Sequence, residues 1–177
     1  SIKKTDREAS QSTAVNTGYF FLQHIMGQLN LKDFFTQITA DRKMTFNCYD
    51  INRFLTYARI LDPRSKYGTW DRLDSYYEKP DFAYQHIMRF MDVLEEHYDD
   101  YLTWLYKQSS NVVPRQTSVM YYDCTNFYFE TEKADDEYVD PVTGEILTGF
   151  RQFGYSKEHR PNPIVEMGLF MDQRGIP

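Results

Sequence analysis

Residues Ser118 to Glu130, SVMYYDCTNFYFE, set one carboxylate, Asp123, inside a run of aromatic and β-branched side chains. Their alternation puts Val119, Tyr121, Phe127 and Phe129 on one face of a strand and Met120, Tyr122 and Tyr128 on the other. Apolar groups on both faces predict a strand within a layered α/β sheet, covered above and below. Asp123 shares its face with Tyr121 and Phe127, so the expectation is a carboxylate among apolar neighbours. An ionised carboxylate there costs several kcal/mol unless a hydrogen-bond network, a cation or a metal compensates. Two readings follow: a structural Asp satisfied by backbone N–H groups or an arginine, or a metal ligand.

Two clusters of cations could serve phosphate. Arg151, Lys157, His159 and Arg160 lie in RQFGYSKEHRP, close after an acidic segment. They could contact a DNA backbone or pair with that segment. Arg59, Arg64 and Lys66 gather near the end of a helical stretch and form a second candidate patch. No helix-turn-helix spacing singles out a recognition helix. His24, His86 and His97 lack an i, i+4 histidine and read as core or surface residues, and Cys48 and Cys124 read as two reduced thiols. Glu166 is mid-strand and could approach Asp123 if two strands pair, although a cross-strand polar role is the simpler reading. Asp172, in DQRG, reads as turn chemistry with Gly175.

Helical periodicity dominates the first part of the chain. Residues 1–12 are polar and are expected to be frayed. From Val15, apolar residues recur at three and four through Leu29, and a short helix carries Leu31, Phe34, Phe35 and Ile38. A third helix runs from about Tyr49 to Leu61 and stops at Asp62-Pro63, because a residue before proline is pushed out of the α region. A fourth piece spans about Tyr67 to Tyr77. A long stretch follows, N-capped by Asp81 and broken near Asp92, with Ala83, Ile87, Phe90, Met91, Leu94, Tyr98, Leu102 and Leu105 as its buried stripe. Residues 13–110 therefore read as a helical domain and 111–177 as a β-rich one, with Asn111 to Pro114 as the linker and an acidic insert at 130–147.

The net charge of −6 is unevenly placed: −1 over residues 1–110 and −5 over residues 111–177, most of it in ETEKADDEYVDPVTGE. The global sign is thus a weak argument against a nucleic-acid partner. The 15 tyrosines and 13 phenylalanines exceed what a core tends to need. No apolar run reaches the roughly twenty residues of a membrane span, and no leader pattern opens the chain, so the expected setting is the cytoplasm, without a membrane partner.

YYDCTNFYFE, followed by FGYSKEHRPNPIVEMGLFMDQRGIP, resembles the start of the catalytic domain of DDE transposases of bacterial insertion sequences. The similarity is to the group whose third catalytic residue lies in a Tyr-Arg-Glu-Lys signature, and YARILDPRSK and EKPDF upstream resemble its N-terminal region. The resemblance implies an α+β chain: a helical domain for DNA-end binding or dimerisation, then the first strands of an incomplete RNase H-like α/β domain. It implies metal-dependent DNA strand cleavage and transfer, with double-stranded DNA (terminal inverted repeats and target) as partner and self-association. It makes Asp123 the first catalytic carboxylate and a ligand of Mg²⁺ or Mn²⁺, expected only in a complete site. The family's second Asp and its Glu fall beyond residue 177, so this stretch by itself is expected to be inert. Two other readings are a non-catalytic DNA-binding regulator derived from such an enzyme, and a protein-interaction module whose aromatic helices assemble with a partner.

Overall fold

The structure, a computed structural model, describes residues 15–156, 158, 159 and 161–177. The expected fraying of residues 1–12 lies outside them. The chain divides into two compact units at Pro114/Arg115. Helices fill the first and antiparallel strands the second, an α+β organisation.

The helical unit contains α1 (Tyr19–Gln28), α2 (Leu31–Ile38), α3 (Cys48–Leu61), α4 (Lys66–Asp71), a 3₁₀ turn (Leu73–Ser75), α5 (Tyr84–Glu96) and α6 (Tyr98–Val112). Local chemistry sets most of these ends. The Asn47 side chain accepts the N–H groups of Tyr49 and Asp50 at 2.9 and 3.3 Å, starting α3. Asp62, before Pro63, leaves the α region and ends it. The Ser65 hydroxyl accepts the Gly68 N–H at 3.1 Å and starts α4. Asn30 turns the chain from α1 into α2 in the left-handed region, φ 49°, which asparagine tolerates.

Aromatic side chains make the core. Tyr19, Phe54, Tyr57 and Tyr76 pack ring against ring, and Phe34, Phe35, Phe90, Tyr101 and Trp104 form the adjoining cluster. Burying each such ring is worth about 1.5–3 kcal/mol. Several polar ends are used: the Tyr19 hydroxyl accepts the Glu78 N–H at 2.9 Å, and the Trp70 and Trp104 indoles donate to the carbonyls of Phe82 and Leu29 at 3.1 and 2.9 Å, whereas the buried Tyr57 hydroxyl has no hydrogen-bond partner among the described residues. The Trp104 bond satisfies a carbonyl that the end of α1 leaves open. Trp104→Phe should therefore cost about 1–2 kcal/mol in urea unfolding, one hydrogen bond plus lost packing; an unchanged midpoint would show the bond to be idle.

Several helix details differ from the sequence expectation. Asp81 does not cap α5. The chain stays extended to Ala83, burying Phe82, and the Ala83 N–H donates to Nδ1 of His86 at 3.2 Å. The break falls at His97, not near Asp92. It shifts the phase of α6, so Tyr101, Trp104 and Leu105 turn inward while Tyr98 and Leu102 are exposed. Val15, Ile25 and Leu61 are also exposed, and α6 runs through Val112, leaving a shorter linker. No helix among the described residues is long and apolar enough to cross a membrane.

In the second unit, β1 (Met120–Tyr128) and β4 (Ile164–Asp172) form a nine-pair antiparallel ladder, and β2 (Glu137–Val139) pairs with β3 (Ile146–Thr148) as a separate hairpin. The expected covered α/β layer is absent among the described residues: Tyr121, Tyr122, Phe127, Met167, Leu169 and Phe170 are exposed. Two strands expose both faces unless something packs on them, and alternation alone cannot show what does. The segment expected as an acidic loop is the β2–β3 hairpin. Its cue, EYV and EILT around DPVTG, is a readable turn signal.

Candidate functional site on the antiparallel ladder

Asp123 stands opposite Leu169. Ile164 exchanges both backbone hydrogen bonds with Gln152, away from β1, and Phe129 donates to the Pro163 carbonyl. Antiparallel alternation then makes Asp123–Leu169 a hydrogen-bonded pair. The backbone under this carboxylate is paired with β4 along one edge, and the ladder continues before and after it along β1. Its face carries Tyr121, Thr125 and Phe127 from β1 and Met167, Leu169 and Met171 from β4.

The side chain itself is exposed, which corrects the expectation of a carboxylate enclosed by apolar bulk. The reason is the same one that leaves the aromatics bare: no layer lies over the ladder within the described residues of this unit.

The register also decides Glu166. The two strands do pair, yet Glu166 stands opposite Asn126, on the face away from Asp123. That face holds Tyr122, whose ring lies over Gly168 and packs on Phe170 with centroids 4.5 Å apart. A Cβ at Gly168 would come within 2.8 Å of the Tyr122 ring, so the glycine makes room for it. The Cys124 thiol donates to the Tyr122 hydroxyl at 2.9 Å.

Asp172, the last residue of β4, is buried where the chain turns, as its turn reading anticipates. Its carboxylate accepts the N–H groups of Gln116, Arg174 and Ile176 at 3.1, 2.9 and 3.1 Å. These bonds, that of Gln116 foremost, hold it below the usual carboxylate range. Gly175, at φ 75°, completes the turn.

Among the described residues no group of three or more His, Cys, Asp or Glu side chains converges. Mg²⁺ and Mn²⁺ favour several oxygen ligands at once. With Glu166 on the opposite face and Asp172 committed to its turn, the described residues do not by themselves fit such an ion.

The cations near the ladder divide. Arg151 is engaged: its backbone N–H and Nε donate to the Asp135 carboxylate at 3.0 and 2.7 Å, and Nη2 pairs with the same group. The Arg151 side-chain bond holds Asp135 below its ordinary range. Pairing with the acidic segment is thus the realised alternative for this residue. Lys157 and Arg160 lie outside the described residues. His159 is exposed, at φ 53°, with its ring edge-on to Tyr155.

In the helical unit, Arg59 is exposed on the last turn of α3 and Lys66 opens α4. Arg64 donates to Asp62 at 2.7 Å, and Arg72 approaches the same carboxylate at 3.7 Å. Asp62 is held low by these arginines, Arg64 above all. Arg72 is a member of this patch that the sequence did not single out, because it lies ten residues after Asp62, at the far end of α4, and reaches that carboxylate only once α4 folds back beside the end of α3. Comparisons with protein-family models, with curated proteins and with solved structures find no match for this chain.

Proposed function

We propose that this chain carries the opening strands of the catalytic core of a cut-and-paste DNA transposase, preceded by a helical unit that binds DNA ends or self-associates. The observation that carries the reading is Asp123: a carboxylate on a backbone pinned at mid-ladder, with its side chain on an open face. A group that helps grip ions beside a DNA strand needs both properties, fixed position and access. The resemblance supplies the rest: an RNase H-like core in which Asp123 is the first of three carboxylate ligands for Mg²⁺ or Mn²⁺. The protein's place of work would be bacterial chromosomal DNA in the cytoplasm.

Arg59, Arg64 and Lys66 would contact the phosphates of the terminal inverted repeats. Asp62, between Arg64 and Arg72, would compete with phosphate for those guanidiniums. Changing all three cations to Ala should weaken binding to an inverted-repeat duplex about tenfold or more in a gel shift, and flatten its salt dependence. Unaltered binding would remove this patch from the reading.

A protein-interaction module is the second reading, favoured by Phe20 and Phe21 on α1 and by Tyr98, Leu102 and Tyr106 on α6, all exposed. Failure of the protein to bind any duplex while sedimenting as an assembly would favour it over DNA recognition.

A further inference from the structure

Between β1 and β4 the chain leaves the ladder to make a hairpin with a locked base. The Asp135 N–H donates to the Arg151 carbonyl at 2.8 Å, and Gln152 Nε2 donates to the carbonyls of Asp135 and Gly149 at 3.1 and 3.0 Å. A Cβ on Gly149 would lie 2.2 Å from Cβ of Asp135, so the base closes only over glycine. At the tip, the Asp140 carboxylate accepts the N–H groups of Val142 and Thr143, and Gly144 takes φ 74°. The two strands pair with each other and with no other strand among the described residues.

This fixed frame displays apolar side chains to solvent. Val142 is 91% exposed and Phe150 86%, and Tyr138, Val139 and Ile146 are each exposed by half or more. Val139 stands opposite Ile146 on the face that also holds Glu137. A two-stranded hairpin is marginal in water by itself, and a rigid one that exposes aliphatic and aromatic groups marks a binding surface. Charge then identifies the occupant. Asp135 is spent on Arg151 and Asp140 on its turn, but Glu130, Glu132, Asp136, Glu137 and Glu145 are exposed and form no ion pair among the described residues. Lys133 is the single cation between residues 130 and 150. Nucleic acid and anionic bilayers are repelled by such a surface.

We infer that the 130–150 hairpin is a docking surface for a cationic polypeptide segment, one with Lys or Arg interleaved with aliphatic side chains. The aliphatic groups would cover Val139 and Ile146 while the cations meet the flanking carboxylates. This does not depend on the transposase reading.

The test uses the whole chain and a fluorescent ten-residue peptide of alternating Lys and Val, read by anisotropy and by amide NMR shifts. The peptide should bind with a Kd on the order of micromolar, shift resonances within residues 130–150, and weaken about fivefold from about 50 to 300 mM salt. The double variant Val139→Ser, Ile146→Ser should weaken it about tenfold, with the Asp135 and Arg151 amide shifts reporting that the hairpin base persists. Should that variant lose the hairpin, Glu137→Gln with Glu145→Gln leaves every apolar and turn residue in place and should weaken binding about fivefold. Three results would each overturn the inference. A Lys–Ser peptide could bind as tightly, reducing the effect to bulk charge. Shifts could map elsewhere, or the protein alone could form a dimer that the Val139/Ile146 variant dissolves, making a second copy the occupant.

Discussion

On the transposase reading proposed above, Asp123→Asn in an enzyme that holds all three carboxylates should reduce strand cleavage at insertion-sequence ends below about one-thousandth of the parent rate. Binding to the same ends should stay within about twofold, because the change removes a charge and not a phosphate contact. The structure makes this interpretable. Asp123 is exposed and its backbone is held by the pair with Leu169, so the near-isosteric amide costs the fold little. A loss of activity would therefore report chemistry, provided the thermal midpoint is unchanged. Quantitative single-turnover cleavage on a labelled repeat duplex is the measurement. Full cleavage by the variant would end the proposed role for Asp123, whatever the helical unit binds.

The second large effect concerns stability. Arg53, on α3, is 7% exposed. Its Nε donates to Asp50 Oδ1 at 2.8 Å and its Nη1 to Glu78 Oε2 at 2.7 Å, while Nη2 pairs with the other Glu78 oxygen. The guanidinium also lies 4.8 Å from the centre of the Phe54 ring. Burial works against its charge, but the two carboxylates outweigh burial and raise its pKa. Removing one partner of a buried pair costs about 3–5 kcal/mol. Asp50 and Glu78 keep partial access to water and can rehydrate, so Arg53→Ala should cost less, about 2–3 kcal/mol in urea unfolding at pH 7.

The pH dependence has a definite sign. The hydrogen bond from Arg53 holds the Glu78 carboxyl below its ordinary range. A depressed carboxyl contributes stability that is present above its unfolded pKa, about 4.3, and lost as pH falls through the lower folded value. The gap between parent and Arg53→Ala should therefore be widest near neutrality and narrow below about pH 4. Denaturant titrations of both proteins from pH 7 to about pH 3 test this; a constant gap would mean that Arg53 acts through packing and not through Glu78.

How much was legible in advance follows the range of each interaction. Residues three or four apart meet on a helix whatever surrounds it, so the stripes of α1, α2 and α3 were readable from Tyr19, Phe34, Phe35, Ile51 and Phe54. The stop at Asp62-Pro63 and the Asp172 turn were also local, and both appear where local sterics and hydrogen bonding put them. The change of period near Pro114 marked the boundary between the units. By contrast, the phase of α6 depends on a break at His97 that no proline or glycine announces.

The site divides the same way. Alternation within SVMYYDCTNFYFE determined that Asp123 and Phe127 share a face and that Tyr122 lies on the other. It could not determine what lies over either face, because burial depends on chain far away in sequence. Nor could it determine that Glu166 turns away, because a shift of one residue in the pairing of β1 with β4 would have brought it to the side of Asp123. The Arg151–Asp135 lock and the shared hold of Arg64 and Arg72 on Asp62 are likewise products of folding, which joins charges that the sequence merely supplies.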